Sequence, residues 1–139
     1  MVILIDTNIV IDYLAGRASF VSAEKIIDNY CTEGKVQGFI AANAVPDIFY
    51  ILRKDFSQVE RRRILLDLLD ILDVVSVDKH KIIESLNEEK FTDFEDCIQS
   101  KCAGEVFADY IITRNSKDFS ESKTPVVSPD DFVKLMEQA

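Results

Sequence analysis

A chain of 139 residues, 47% hydrophobic and 29% charged, has room for one domain with a substantial core and too little for two. Its formal net charge of −9 weighs against a general hold on nucleic acid, which draws on phosphate neutralisation. No run approaches the ~18 apolar residues of a membrane span, and the start lacks the basic residues and long apolar stretch of a secretory signal. The three cysteines, Cys31, Cys97 and Cys102, are odd in number and have no CxxC spacing. They predict neither a disulfide framework nor a zinc site, but buried reduced thiols in a cytoplasmic protein.

The apolar run Val2–Ile5 reads as a first strand, buried and parallel, ending at Asp6-Thr7-Asn8. A helix follows over about residues 8–14, with Gly16 as its stop, and a second over residues 20–31. Residues 38–41 form a second strand. Asn43 then N-caps a helix with apolar positions Val45, Ile48, Phe49 and Leu52, and Pro46 is tolerated in its first turn. Ser57 and Glu60 have capping-box spacing, and Ile64, Leu65, Leu68, Leu69 and Leu72 make one stripe behind them, read as core in preference to a dimer face. Residues 74–77 are a third strand, followed by helices over 79–88 and 93–105. Residues 110–113 are a fourth strand and 125–127 a fifth. Ser128-Pro129-Asp130-Asp131 opens the last helix with a cap, a first-position proline and first-turn acids. Strands alternating with helices predict an α/β fold: a three-layer, doubly wound, mostly parallel five-stranded sheet flanked by helices, as a single domain over residues 1–139.

Open α/β sheets bind ligands outside the carboxyl ends of their strands, so acids after strands carry the chemistry. Asp6 follows the first strand, where it reads either as a helix cap or as a ligand-facing acid. Thr7 and Asn8 are alternative caps, and Asn8 is also suited to bond a ligand water. Asp47 sits one turn into its helix, with Ala44 and Ile51 at neighbouring positions, so its side is not plainly solvent-facing. Asp93 and Asp96 are spaced as a capping box, with Asp93 holding the turn and Asp96 free to face a cleft; Glu95 is placed on the solvent side. Thr113, Arg114, Asn115 and Asp118 follow the fourth strand, with Phe119 as an apolar anchor and Arg114 suited to a phosphate or to a neighbouring acid. Clustered carboxylates raise one another's pKa unless a cation neutralises them, and an oxygen-rich set of this kind suits Mg²⁺ or Mn²⁺. The cations are themselves clustered, at Arg53-Lys54, Arg61-Arg62-Arg63 and Lys79-His80-Lys81, so a local basic rim coexists with an acidic whole.

In Asp6-Thr7-Asn8, Asp47 in VPDIFYIL, Asp93 and Asp96 in DFEDCIQ, and ITRNSKDF, the chain resembles the PIN-domain family, in particular its PilT N-terminus type, which includes VapC-like ribonuclease toxins. The motifs are short, but their ordered set spans nearly the whole chain. The resemblance implies a metal-dependent endoribonuclease, with Mg²⁺ or Mn²⁺ held by Asp6, Asp47 and Asp96 as principal acids and Asp118 as the fourth. Asn115 and Thr7 or Asn8 would support them, with Asp93 as a neighbouring helper. It further implies RNA as substrate, an antitoxin protein that occupies the cleft through a basic side chain, and a homodimer. The family usually has Glu as its second acid; Asp47 is one methylene shorter, which favours water-mediated over direct coordination. The preceding IAANAV also lacks the small hydroxyl residues often found there.

Other acid-bearing α/β readings fit less well. A haloacid-dehalogenase-like phosphatase begins DxDx[TV], and Asn8 stands where its second Asp belongs. A receiver domain needs paired acids after its first strand and a Lys after its fifth. A dinucleotide-binding domain needs a Gly-rich turn that is absent. The lone His80 lies in a Lys-His-Lys run poorly placed for a general base, and no Cys has a His partner near a motif. The rival of a different class is a PIN fold without catalysis, acting as an RNA-binding or protein-interaction module; Asp47 is the residue that favours it.

Overall fold

The computed structural model describes residues 1–139. Five parallel strands, β1 (Val2–Ile5), β2 (Gln37–Ala41), β3 (Asp73–Val75), β4 (Tyr110–Ile112) and β5 (Val126–Val127), form one sheet in the order β3-β2-β1-β4-β5. The first strand in sequence is therefore the central one, and the chain winds outward from it in both directions. Crossovers are made by α1 (Thr7–Ala15), α2 (Phe20–Glu24), α3 (Ala44–Ile51), α4 (Gln58–Leu69), α5 (Lys79–Asn87) and α6 (Phe94–Glu105), and α7 (Pro129–Gln138) follows β5. No helix is long and apolar enough to cross a membrane.

The period-2 alternation of β1 divides the core into two layers. Ile3 and Ile5 face one way and pack with Ile9 and Val10 of α1, Ile48 of α3, Leu65 and Leu68 of α4 and Phe132 of α7. Leu4 faces the other way, with Ala41, Val75, Ile111, Phe119 and the Ile98, Cys102 and Ala103 face of α6. A strand buried on both faces is what the uninterrupted VILI run requires.

Several helix starts match their sequence signals. Ser57 and Glu60 form the reciprocal capping box of α4, Ser128 accepts from the Asp131 N–H at 3.1 Å, and Asp93 accepts from the Asp96 N–H at 3.0 Å. Other expectations are corrected. Asn43 does not cap α3: its backbone is already helical (φ −69°, ψ −16°), its side chain makes no capping bond, and its Oδ1 is buried without a partner. The helix expected over 20–31 is α-helical only to Glu24 and continues as a π-helix over Lys25–Cys31. The third strand ends at Val75 and the fourth at Ile112, both short of the expected limits. Of the α4 stripe, Leu65, Leu68 and Leu72 are buried, whereas Leu69 is partly open beside the exposed Leu66. The three cysteines are free and buried; burial pushes the Cys31 thiol up to about 12 and the Cys102 thiol to about 11.

Gly38 on β2 is required by a close approach. A Cβ there would stand 2.7 Å from Leu72 Cδ2 and 2.9 Å from Cys31 Sγ, both side chains of the core layer that holds Ile3 and Ile5. Gly38→Ala should therefore lower stability by about 1–3 kcal/mol through overpacking, read as a fall in the urea midpoint; an unchanged midpoint would show that Leu72 yields freely.

Candidate active site

Asp6 occupies the N-cap position of α1 (φ −61°, ψ 144°), yet its side chain makes no capping bond. The carboxylate is 3% exposed and turned elsewhere. Its Oδ2 accepts from Thr113 Oγ1 at 2.8 Å, and its Oδ1 from Gln99 Nε2 at 2.9 Å. Thr113, just past β4, is itself fixed by accepting from the Asn115 N–H at 3.0 Å and by donating its own N–H to Val127 O. Adjacent parallel strands β1 and β4 therefore bring Asp6 and Thr113 together, although 107 residues separate them.

The cleft outside these strand ends has a volume of about 350 Å³. Asp6, Thr7 and Asn8 line it from β1 and α1, Asp47, Tyr50 and Ile51 from α3, Asp93, Glu95, Asp96 and Gln99 from the start of α6, and Asn115 and Asp118 from the turn after β4. Asp118 is set by a 3-10 turn over Ser116–Phe119 whose buried Phe119 anchors it in the core beneath the sheet. Six carboxylates thus share one cavity whose lining includes no Lys, Arg or His. The N-terminus of α6 offers partial compensation, since its dipole and free N–H groups favour Glu95 and Asp96.

The electrostatic consequence falls on Asp96. Burial, then Asp93, Asp6, Asp118 and Glu95, push its carboxyl up to about 7. Glu95 is raised as well, by burial and then by Asp47 and Asp93. Glu95 is exposed, as its assignment to the solvent side expects, and it also lines the cleft. Gln99 carries no motif that marks it for this wall, and sequence reasoning misses it.

The remaining sequence candidates fall elsewhere. Arg114 does not line the cleft. Its Nε pairs at 2.9 Å with Asp12 Oδ2, a carboxylate 1% exposed that also accepts from the Ser19 N–H. That pair latches the loop after β4 to α1, and an acid set inside the apolar run IVID was its only signal in the sequence. His80 lies on α5 beside Glu84, outside the cleft lining.

The donors fit a hard divalent cation: all are oxygen, several are anionic, and nothing else in the cavity balances their charge. No three acid, His or Cys side chains are gathered closely enough to form a ready-made cage for a metal ion. Mg²⁺ usually keeps several waters and takes only one or two carboxylates directly, so an open cleft with Asp6 and Asp96 adjoining suits it.

The raised Asp96 pKa has a definite sign. Its folded value of about 7 lies above the ordinary 3.8, so the unfolded state releases this proton first and stability is lost as pH rises between those values, then stays low above them. In a chelator, Asp96→Asn should unfold a few degrees higher than the parent at pH 8. The advantage should shrink as pH falls through that window and vanish near pH 4, as read by thermal melts across pH. Equal melts at pH 8 would contradict the assignment.

Among curated proteins no sequence matches this chain. Solved structures do. A toxin–antitoxin complex from Klebsiella pneumoniae matches at 26% identity and TM-score 0.66, covering 91% of this chain and 96% of that one. VapC20 of Mycobacterium tuberculosis, described as a sarcin-ricin loop cleaving toxin, matches at 15% identity and TM-score 0.70, over 91% and 99% of the two chains. VapBC-1 from nontypeable Haemophilus influenzae matches at 15% identity and TM-score 0.69, over 94% and 99%. At 15% identity the likeness is one of fold. The PIN-domain family model matches residues 2–117, the span that carries the central strands and nearly all of the cleft, and the chain belongs to the PIN-domain family.

Proposed function

We propose that the chain, as one domain over residues 1–139, is a divalent-cation-dependent endoribonuclease that hydrolyses RNA phosphodiester bonds, and that it is the toxin of a toxin–antitoxin pair. The observation that carries the reading is the acid-lined cleft at the carboxyl ends of β1 and β4, with six carboxylates and no cationic side chain. Likeness to toxin–antitoxin complexes supports the second half.

Mg²⁺ or Mn²⁺ bound there supplies Lewis-acid assistance to a water and to the scissile phosphate. Asp6 and Asp96 would be the principal residues to hold it, with Asp47 and Asp118 of the same cleft in support. Glu95 lines the same cleft as Asp47 and is one methylene longer. Thr113 fixes the Asp6 carboxylate, Asp93 caps the helix that presents Asp96, and Thr7, Asn8 and Asn115 give the wall neutral groups that orient water. No covalent intermediate is needed, since a metal-assisted water would serve as the nucleophile.

With Arg114 engaged by Asp12, substrate contact falls to the end of α3. Tyr50 lines the cleft, is 61% exposed, and carries the Arg53 guanidinium 3.7 Å from its ring centroid. An aromatic ring with a cation on it, at the lip of a cavity, suits an unstacked base and its phosphate. An antitoxin would compete by placing a basic side chain among the acids. Exposed Leu66 and Leu69 on α4 are one apolar surface available to a homodimer. Reduced, buried thiols suit a cytoplasmic setting.

The second reading, a PIN fold that binds RNA or protein without cleaving, is favoured by Asp47 in place of Glu and by the lack of a closed cage. It predicts RNA or partner binding with no cleavage and no stabilisation by millimolar Mn²⁺.

Asp6→Asn and Asp96→Asn should each reduce Mn²⁺-dependent cleavage of single-stranded RNA on the order of 10²-fold or more while the variants remain folded. Cleavage at the parental rate by either, or undiminished cleavage in EDTA, would sink the enzyme assignment. On the Asp6→Asn background, Tyr50→Ala should weaken binding of a single-stranded RNA about tenfold in fluorescence anisotropy, and Tyr50→Phe should restore it. Equal affinities with and without the Tyr50→Ala change would remove this ring from the substrate path.

A further inference from the structure

Gln99 is a polar side chain in an apolar place. It follows Asp96 by one turn of α6 and is 4% exposed, among Ile98, Cys102 and Ala103 of the same helix, all buried. Its Nε2 donates to Asp6 Oδ1 at 2.9 Å and reaches Asp96 Oδ1 at 3.5 Å, the outer limit of a hydrogen bond. Its Oε1 is buried and has no partner. An amide acceptor buried without a donor is costly, and an apolar side chain of similar volume would avoid that cost. What the amide adds is direction: one nitrogen spans two carboxylates from different elements, 93 residues apart along the chain for the Asp6 bond.

The charge of that donor matters as much as its position. Lys or Arg at this point would also bridge Asp6 and Asp96, and would neutralise them. Gln99 and Thr113 together engage both oxygens of Asp6 with neutral groups, so the carboxylate is held in place while its charge is left for something else. Resting on the metal-site reading above, we infer that Gln99 is a positioning residue for the cation. It is a neutral amide clamp that sets the relation of Asp6 to Asp96 without competing for the site. Partners of this kind, one step removed from the metal, commonly alter affinity or activity about 10–100-fold when lost.

The test titrates Mn²⁺ against thermal unfolding, a readout independent of catalysis. Gln99→Leu, which keeps the volume and removes the donor, should raise the half-saturating Mn²⁺ concentration about tenfold or more, and lower kcat while KM for single-stranded RNA moves less than about twofold. Gln99→Lys covers the case in which the leucine variant does not fold. It should melt higher than the parent in chelator above pH 7, because its ammonium offsets the two acids, and should lose the Mn²⁺ response. A folded Gln99→Leu whose melting point drops while its Mn²⁺ midpoint stays within about twofold of the parent would make Gln99 merely structural and overturn the inference alone. So would a Gln99→Lys protein that responds to Mn²⁺ as the parent does. An unsubstituted protein with no Mn²⁺ shift would overturn the metal reading of the cleft, and the clamp with it.

Discussion

The burial of the Asp6 carboxylate constrains everything around it. A nearly inaccessible carboxylate is costly unless its oxygens are bonded, and here each oxygen has one donor from a different element: Thr113 after β4 and Gln99 on α6. Those bonds pin the carboxyl end of the central strand to its neighbour and to the helix that covers it. They satisfy geometry and leave charge unbalanced. Asp96, close by, is raised to about 7 by its own burial first, and then by Asp93, Asp6, Asp118 and Glu95. In such a cleft the fold is made less stable than it need be, and a ligand of opposite charge recovers the difference.

The rest of the molecule supplies rigidity for that arrangement. β1 is paired on both sides and buried on both faces. Asp93 closes the first turn of α6, so that Glu95 and Asp96 project from a fixed helix start. The Arg114–Asp12 pair ties the loop after β4 to α1. It answers one buried acid with a cation while leaving the cleft acids unanswered. At the lip of the cleft the Arg53 guanidinium lies over the Tyr50 ring, and further along, Arg61 lies over Phe49.

Local physics made much of this readable from sequence. VILI had to be a two-face-buried strand, Ser57, Asp93 and Ser128 had to start helices, and acids directly after strands had to lie along one sheet edge. The features that escaped reading depend on partners distant in sequence. Gln99 looks like a surface amide on a helix of mixed polarity until Asp6 is placed against it. Glu95 is as solvent-exposed as it looks, but its place on the cleft lining depends on elements distant in sequence. Asp12 has no visible partner until Arg114 arrives, 102 residues on. Asn43 follows a strand as a cap should, but the backbone is already helical there, which turns its side chain away from the role. The π-helical stretch over Lys25–Cys31 follows no periodicity that the apolar spacing could reveal.

Strand order has a temporal consequence. β1 leaves the ribosome before the other strands, yet one of its two neighbours, β4, lies more than a hundred residues downstream, and closing so long a loop before any contact compensates is what makes parallel topologies slow to fold. Until β4 pairs with β1 and the turn at Asp118 follows, Asp6 has no Thr113, and the wall opposite it does not exist. A growing chain thus carries its acids scattered.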